Sequence, residues 1–69
     1  MIDREISGRI KNAMKQKKMR QTELAARMVM DYQRVNRAVN GRRPVYAQEL
    51  PRFARALEVT VESLLGQEK

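Results

Sequence analysis

Hydrogen-bonding side chains recur on one face of a short predicted helix near the middle of the chain. Gln33 and Arg37 lie four residues apart and therefore share that face. A Gln amide can form two hydrogen bonds to adenine, and an Arg guanidinium can do the same to guanine. Tyr32 and Asn36 border them and can hydrogen-bond a base or pack on a thymine methyl group. The chemistry that this spacing could perform is the reading of base edges.

Two amphipathic segments must position this face. Their apolar residues follow the i, i+3, i+4 spacing of a helix. These residues are Leu24, Ala25 and Met28 in the first segment, and Val35, Ala38 and Val39 in the second. We expect helices over about 21–28 and 32–39, with Asp31 as the N-cap of the second. Because the apolar side of the second helix faces the core, its polar side, including Arg34, must face outward.

Three further helices are predicted around this pair. An apolar stripe from Ile2 to Met14 indicates a first helix over about 3–17. Asn40-Gly41 supplies a left-handed stop after the helix at 32–39. A fourth helix cannot begin much before Ala47, because Pro51 must lie in its first turn. Thr60 caps a last short helix that ends at Gly66. The sequence thus predicts an all-α domain of five helices over 1–69, with a loose tail at 67–69.

Composition narrows the classes of function. The chain of 69 residues contains no Cys and no His, which removes disulfides, thiolate or imidazole metal sites and the usual catalytic bases. We therefore expect no enzyme activity, no metal and no cofactor. Lys and Arg number 15 against 8 Asp and Glu, for a formal charge of +7. That imbalance favours a polyanionic partner.

The basic residues are unevenly distributed. Residues 1–45 carry 12 basic and 4 acidic side chains, whereas residues 46–69 carry 3 and 4. The basic part therefore coincides with the two amphipathic segments. No apolar run approaches the roughly 18 residues of a membrane span, and no signal-peptide core is present. We expect no membrane partner and a cytoplasmic location.

The sequence resembles the lambda-repressor-like (Cro/XRE) family of helix-turn-helix DNA-binding domains over nearly its whole length. The residues that carry the resemblance are Gln21, Glu23-Leu24-Ala25, Val35, Arg37, Gly41, Pro44, Ala54, Ala56-Leu57, Val59 and Leu64-Leu65. The resemblance implies that the third helix enters the major groove of an operator while the second lies across the phosphate backbone. The base contacts it implies are Tyr32, Gln33, Asn36 and Arg37.

The resemblance also implies phosphate contacts and a dimer. Gln21 matches a family residue that binds phosphate, and the other expected phosphate contacts are Arg20, Arg34, Asn40, Arg42 and Arg43. A homodimer on a palindrome is expected, because one such domain covers only a few base pairs. Its expected interface is the C-terminal end of the domain, at Glu58, Val59, Val61, Leu64 and Leu65.

Three departures from the family pattern carry structural expectations. Val29 stands where relatives place Gly in the turn between helices 2 and 3, so a strained backbone is expected there. Arg20 replaces the usual Thr cap of helix 2, which leaves Glu23 without the first member of a capping box. Met14 and Val39 replace an Arg and a Glu that relatives pair in the core, and we expect these two apolar side chains to touch.

Three other functions stay open. The fold could serve an adaptor or antitoxin-like protein that binds RNA polymerase or a toxin, although helix 3 offers no exposed apolar anchor. It could also bind nucleic acid without sequence preference, in which case the charge would matter and Gln33 would not. An enzyme is the remotest reading, since the Ser, Thr and carboxylate residues show no catalytic spacing.

Overall fold

Five α-helices account for most of residues 4–67, as the periodicity predicts. The structure, a computed structural model, describes residues 4–67. The helices are α1 (Arg4–Lys17), α2 (Gln21–Met28), α3 (Tyr32–Val39), α4 (Leu50–Leu57) and α5 (Val61–Leu65), and a 3₁₀ turn at Ala47–Glu49 leads into α4. No strand occurs between residues 4 and 67. Ile2 and Asp3, at the start of the predicted first helix, lie outside the described residues, as do 68 and 69 of the predicted tail.

The helix boundaries follow the predicted signals closely. Pro51 lies in the first turn of α4, where its missing N–H breaks no helical bond. The backbone N–H of Ser63 donates to Thr60 Oγ1 at 3.0 Å, which confirms the predicted cap of α5. Gln67, the first residue of the predicted tail, donates its backbone N–H to the Glu62 carbonyl at 2.9 Å. That residue therefore takes part in the capping of α5.

The connections after α1, α2 and α4 share one three-residue design, which we call the corner. Each begins with a non-glycine residue in the left-handed region: Lys18 (φ 54°), Val29 (φ 54°) and Glu58 (φ 60°). An apolar residue that packs against the core follows: Met19, Met30 and Val59. The third residue is extended and serves as the N-cap of the next helix: Arg20, Asp31 and Thr60. Three turns of the chain thus use the same backbone path.

Each corner also satisfies the last carbonyls of the helix before it. At the end of α2, the N–H of Val29 donates to Ala26 O at 3.1 Å and that of Met30 donates to Ala25 O at 3.0 Å. This pair of bonds is a Schellman motif. The end of α3 uses the same motif with Gly41, at φ 73°, in the left-handed position. The predicted Asn40-Gly41 stop is therefore confirmed.

All five helices contribute to one apolar core. Ile10, Leu24, Phe53, Leu57 and Leu64 are among its fully buried side chains. Met14 and Val39, predicted to touch, are 6% and 1% exposed and belong to this same core. Their direct contact stays a prediction, but neither position holds a buried charge.

Hydrogen bonds between helices fix the orientation of α3 and α2. The buried Ser7 hydroxyl donates to the Ala38 carbonyl at 2.7 Å, which ties α1 to the last turn of α3. Arg27 Nη1 donates to Ala56 O at 3.3 Å, and Arg52 Nη2 donates to Met28 O at 3.0 Å. These two bonds hold the ends of α2 and α4 together. The functional pair predicted from the sequence, α2 and α3, is thus held by α4 on one side and by α1 on the other.

Candidate nucleic-acid interface

The outward face of α3 is polar because its other face is committed to the core. Val35, Ala38 and Val39 are 0%, 0% and 1% exposed. Tyr32, Gln33 and Arg37 are exposed on the opposite side, and Asn36 is half-buried at its edge. We call these last four residues the recognition surface. The predicted orientation of α3 is confirmed, and the base contacts themselves stay predictions.

A capped corner sets the start of α3. Asp31 Oδ2 accepts the backbone N–H of Gln33 at 3.1 Å, which confirms the predicted N-cap. Val29 has φ 54° and ψ 49°, which confirms that a β-branched residue occupies the left-handed position expected to be strained. Because the cap and the corner fix the first turn of α3, Tyr32 and Gln33 are presented at a defined angle.

One short hydrogen bond joins the recognition surface to the start of α2. Asn36 Nδ2 donates to Gln21 Oε1 at 2.6 Å. Sequence patterns predict a base contact for Asn36 and a phosphate contact for Gln21, and they do not predict the bond between the two side chains. The bond uses one hydrogen of the Asn36 amide, whose carbonyl oxygen accepts no hydrogen bond among residues 4–67. It also orients the Gln21 amide, so that α2 and α3 present their polar groups as one unit.

Cationic and amide side chains surround the recognition surface. Arg20 and Arg42 are exposed at the start of α2 and after α3, respectively. Asn40 Nδ2 donates to Asn36 O at 2.9 Å, which satisfies a carbonyl in the last turn of α3. Arg34 is 59% exposed and lies 3.6 Å from a carboxylate oxygen of Glu49. Four of the predicted phosphate contacts thus keep solvent-accessible polar groups beside α3.

Arg43 requires a correction. Its side chain is only 15% exposed, and its guanidinium donates to Glu49 Oε1 and Oε2 at 2.9 and 3.2 Å. The same group donates to Arg34 O at 3.0 Å and to Pro44 O at 2.9 Å. Four of its five N–H donors are engaged in this way, which leaves little of the guanidinium for a phosphate. Arg43 instead fastens the loop after α3 to α3 itself.

Glu49 is the residue that sequence reasoning missed. It is 5% exposed, and its carboxylate accepts hydrogen bonds from Arg43 and from the backbone N–H of Tyr46 at 3.1 Å. Burial raises the pKa of Glu49, but these hydrogen bonds and the charges of Arg43 and Arg34 outweigh it and leave the pKa lowered. One signal could have found it: Glu49 is the only acidic residue between Asp31 and Glu58.

The predicted dimer surface is partly apolar and accessible. Val59, Val61 and Leu65 are partly buried hydrophobic residues at the edge of the core. Glu58 is exposed and pairs with Arg27 at 3.5 Å. Leu64 requires a correction, because it is 1% exposed and its side chain fills the core instead of the surface. The accessible set at this end is therefore Glu58, Val59, Val61 and Leu65.

The described residues contain neither a candidate metal site nor a candidate membrane span. Between residues 4 and 67, no group of three or more His, Cys, Asp or Glu side chains is arranged to hold a metal ion. Within the same range, no helix is long and apolar enough to cross a membrane.

The fold is that of the helix-turn-helix class. Its α3 presents an exposed polar face and is bonded to the start of α2. Residues 9–69 match the model of the Cro/C1-type HTH DNA-binding domain. The chain belongs to this family and thus to the DNA-binding regulators. The resemblance that the sequence motifs carry is confirmed.

A solved structure has the same fold. The restriction-modification controller protein C.AhdI from Aeromonas hydrophila superimposes with a TM-score of 0.80 and 23% sequence identity. The match covers 87% of this chain and 91% of that one. Among curated proteins, none matches the sequence. The structural likeness concerns the fold, and the residue roles must be argued from this chain.

Proposed function

We propose that the protein is a sequence-specific transcriptional repressor that binds a palindromic operator as a homodimer, with α3 in the major groove. One observation supports this most: the recognition surface is exposed and polar, and the Gln21–Asn36 bond of 2.6 Å links it to the start of α2. In helix-turn-helix complexes these two elements contact base edges and phosphates, respectively. We propose no catalytic role.

The residue types support a different base contact for each residue of the recognition surface. Gln33, next to the capped start of α3, suits a bidentate contact to adenine, and Arg37, one turn later, suits one to guanine. Each such pair discriminates against the wrong base by about 1–3 kcal/mol. Tyr32 suits packing on a thymine methyl group. Asn36 has its carbonyl oxygen available for a base after it donates to Gln21.

Phosphate contacts follow from the groups around that surface. We propose this role for Arg20, Gln21, Arg34, Asn40 and Arg42, and we assign Arg43 to holding the loop in which Arg42 lies. Such contacts fix register and orientation and carry no sequence information directly. The dimer would form through the accessible set at the C-terminal end, Glu58, Val59, Val61 and Leu65. Two domains would then read half-sites about one helical turn apart.

Selection of binding sites from random duplex DNA at about 150 mM salt tests this proposal. Enrichment of a palindrome with half-sites about ten base pairs apart is the expected result. Repression is then measured with that operator placed across a reporter promoter. Lack of enrichment despite binding would leave only nonspecific nucleic-acid binding. Lack of any binding, with capture of a protein such as a toxin or RNA polymerase, would favour the adaptor role.

A matched pair of variants separates the recognition of bases from the binding of phosphates. Gln33→Ala should relax sequence preference at one base position and cost about 1–3 kcal/mol on the selected operator. Arg42→Ala should weaken binding to all duplexes alike and reduce the slope of log Kobs against log salt by about 1. Titrations of the operator and of an unrelated duplex at several salt concentrations measure both effects. Equal losses on the two duplexes for Gln33→Ala would contradict its role in base reading.

A further inference from the structure

Among the described residues, the ion pairs leave the three lysines of α1, Lys11, Lys15 and Lys17, without a carboxylate partner. The pairs join Glu5 to Arg9, Glu23 and Glu58 to Arg27, and Glu49 to Arg34 and Arg43. In every case the cation is an arginine. Lys11 and Lys15 are exposed on α1, and neither takes part in an ion pair among residues 4–67. Their charges are therefore free to attract a mobile anion or a polyanion.

The two lysines continue the surface around α3. Lys11 lines two shallow depressions at once. The first extends past Lys15 to Arg20 and Gln21 and ends at Tyr32 and Asn36. The second extends to Asn40 and Arg42. Of the carboxylates between residues 4 and 67, none lines either depression, whereas Asp31 and Glu49 line the depression on the other side of α3. Basic side chains consequently extend from the recognition surface across α1.

Gly8 indicates what passes over this part of α1. It lies inside the helix, where a glycine costs about 0.5–1 kcal/mol relative to alanine. A Cβ at this position would meet no atom within 4 Å, so the packing of the protein does not require glycine there. Gly8 lines the second depression together with Lys11, Asn40 and Arg42. A missing side chain beside these polar groups leaves room for a ligand to approach the helix backbone.

We propose that the sugar-phosphate backbone of the bound duplex crosses α1, with its phosphates bound by Lys11 and Lys15 and its closest approach at Gly8. This inference rests on the proposed function, and it extends the DNA contact from α2, α3 and the loop after α3 to α1. The ammonium groups would contact phosphate oxygens as point charges, independently of base sequence. Arg20, Gln21, Asn40 and Arg42 would bind phosphates on either side of the crossing.

The salt dependence of binding tests the two lysines. Each phosphate that a cation neutralises contributes about 0.9 to the slope of log Kobs against log salt on B-form DNA. Lys11→Gln and Lys15→Gln should each reduce that slope by about 1 and weaken the operator and an unrelated duplex by the same factor. Lys17→Gln is the matched control, because it makes the same charge change on the same helix and Lys17 lines neither depression. It should leave the slope unchanged.

Gly8 variants test the close approach. Gly8→Ala should raise the melting temperature of the free protein, since it improves helix propensity without a clash. Gly8→Met keeps good helix propensity but fills the second depression, and it should weaken binding to any duplex at least severalfold while the free protein stays folded. Thermal unfolding and DNA titration of the same samples separate the two effects.

Two results would overturn the inference. If Lys11→Gln and Lys15→Gln behave like Lys17→Gln, these two lysines do not bind phosphates. If Gly8→Met binds DNA with wild-type affinity, the duplex does not approach α1 closely at Gly8. Failure of the proposed function is visible separately, because the unaltered protein would then enrich no palindrome from random duplexes or would bind no duplex at all.

Discussion

Val29 holds a backbone conformation that a β-branched residue rarely adopts. Its φ of 54° belongs to the left-handed region, which costs an L-residue roughly 1–2 kcal/mol relative to glycine. The side chain is 83% exposed, so little burial offsets that cost. The position is tolerated because the Schellman bonds of the corner and the packing of Met30 determine the backbone around it.

Val29→Gly should therefore stabilise the protein. We expect a gain of about 0.5–1 kcal/mol, after the greater freedom of glycine in the unfolded chain is subtracted. For a domain of this size that gain raises the melting temperature by several degrees, about 4–8 °C per kcal/mol. Thermal unfolding followed by circular dichroism measures it.

Ala26→Gly is the control for that experiment. Ala26 is exposed inside α2, where glycine should cost about 1 kcal/mol. If both variants lower the melting temperature, the conformation at Val29 is not strained and the explanation fails.

At the scale of elements, Glu49 joins α3, the loop after it and the 3₁₀ turn. Its carboxylate binds Arg43 of the loop and the Tyr46 backbone, and it lies 3.6 Å from Arg34 of α3. The lowered pKa of Glu49 means that the folded state favours the ionised carboxylate. Its contribution to stability is therefore present above the pKa of the unfolded chain and is lost as the pH falls through the lowered pKa of the folded state.

Glu49→Gln should destabilise the protein at neutral pH by about 1–3 kcal/mol, because a buried guanidinium loses its charged acceptor. The difference between wild type and variant should shrink as the pH falls from about 5. Urea unfolding at several pH values measures it. Glu62→Gln is the control, since Glu62 is exposed and makes no ion pair within residues 4–67. A difference that stays constant down to the lowest pH would contradict the ionised pair.

Element by element, sequence patterns predicted what periodicity and capping determine. The bounds of α2 and α3 agree with the prediction, because an apolar stripe, Asp31 and the Asn40-Gly41 stop mark them. The Arg43–Glu49 pair could not be predicted in the same way. A basic loop and a lone acid resemble ordinary solvated residues until the chain path places them together. Leu64 and Leu65 are likewise equivalent in the sequence, and only the packing of α5 decides that Leu64 is the buried one.

At the scale of the whole molecule, the remaining prediction concerns the proposed homodimer. Leu65→Glu places a charge on the partly apolar end of the domain and should disrupt association there. Wild-type protein should occupy both half-sites of the palindrome together, whereas the variant should fill them one at a time and at higher concentration. Sedimentation of protein–duplex mixtures measures the number of chains bound per duplex.

Gln48→Glu is the matched control, because it adds the same charge at an exposed position in the 3₁₀ turn. Circular dichroism checks that Leu65→Glu still folds, since Leu65 also packs against the core. One wild-type chain per palindromic duplex at saturation would exclude the homodimer.

The three corners follow the same backbone path but differ in the N-cap that their third residue provides. Asp31 and Thr60 each accept a backbone N–H of the next helix, whereas Arg20 makes no such side-chain bond. A missing cap of this kind costs about 1 kcal/mol. Under the proposed function, the corner without a cap is the one whose third residue reaches toward phosphate. The free domain would then lack the stabilisation that an N-cap gives to α2. A phosphate of the bound operator would supply it by accepting a backbone N–H at the start of that helix.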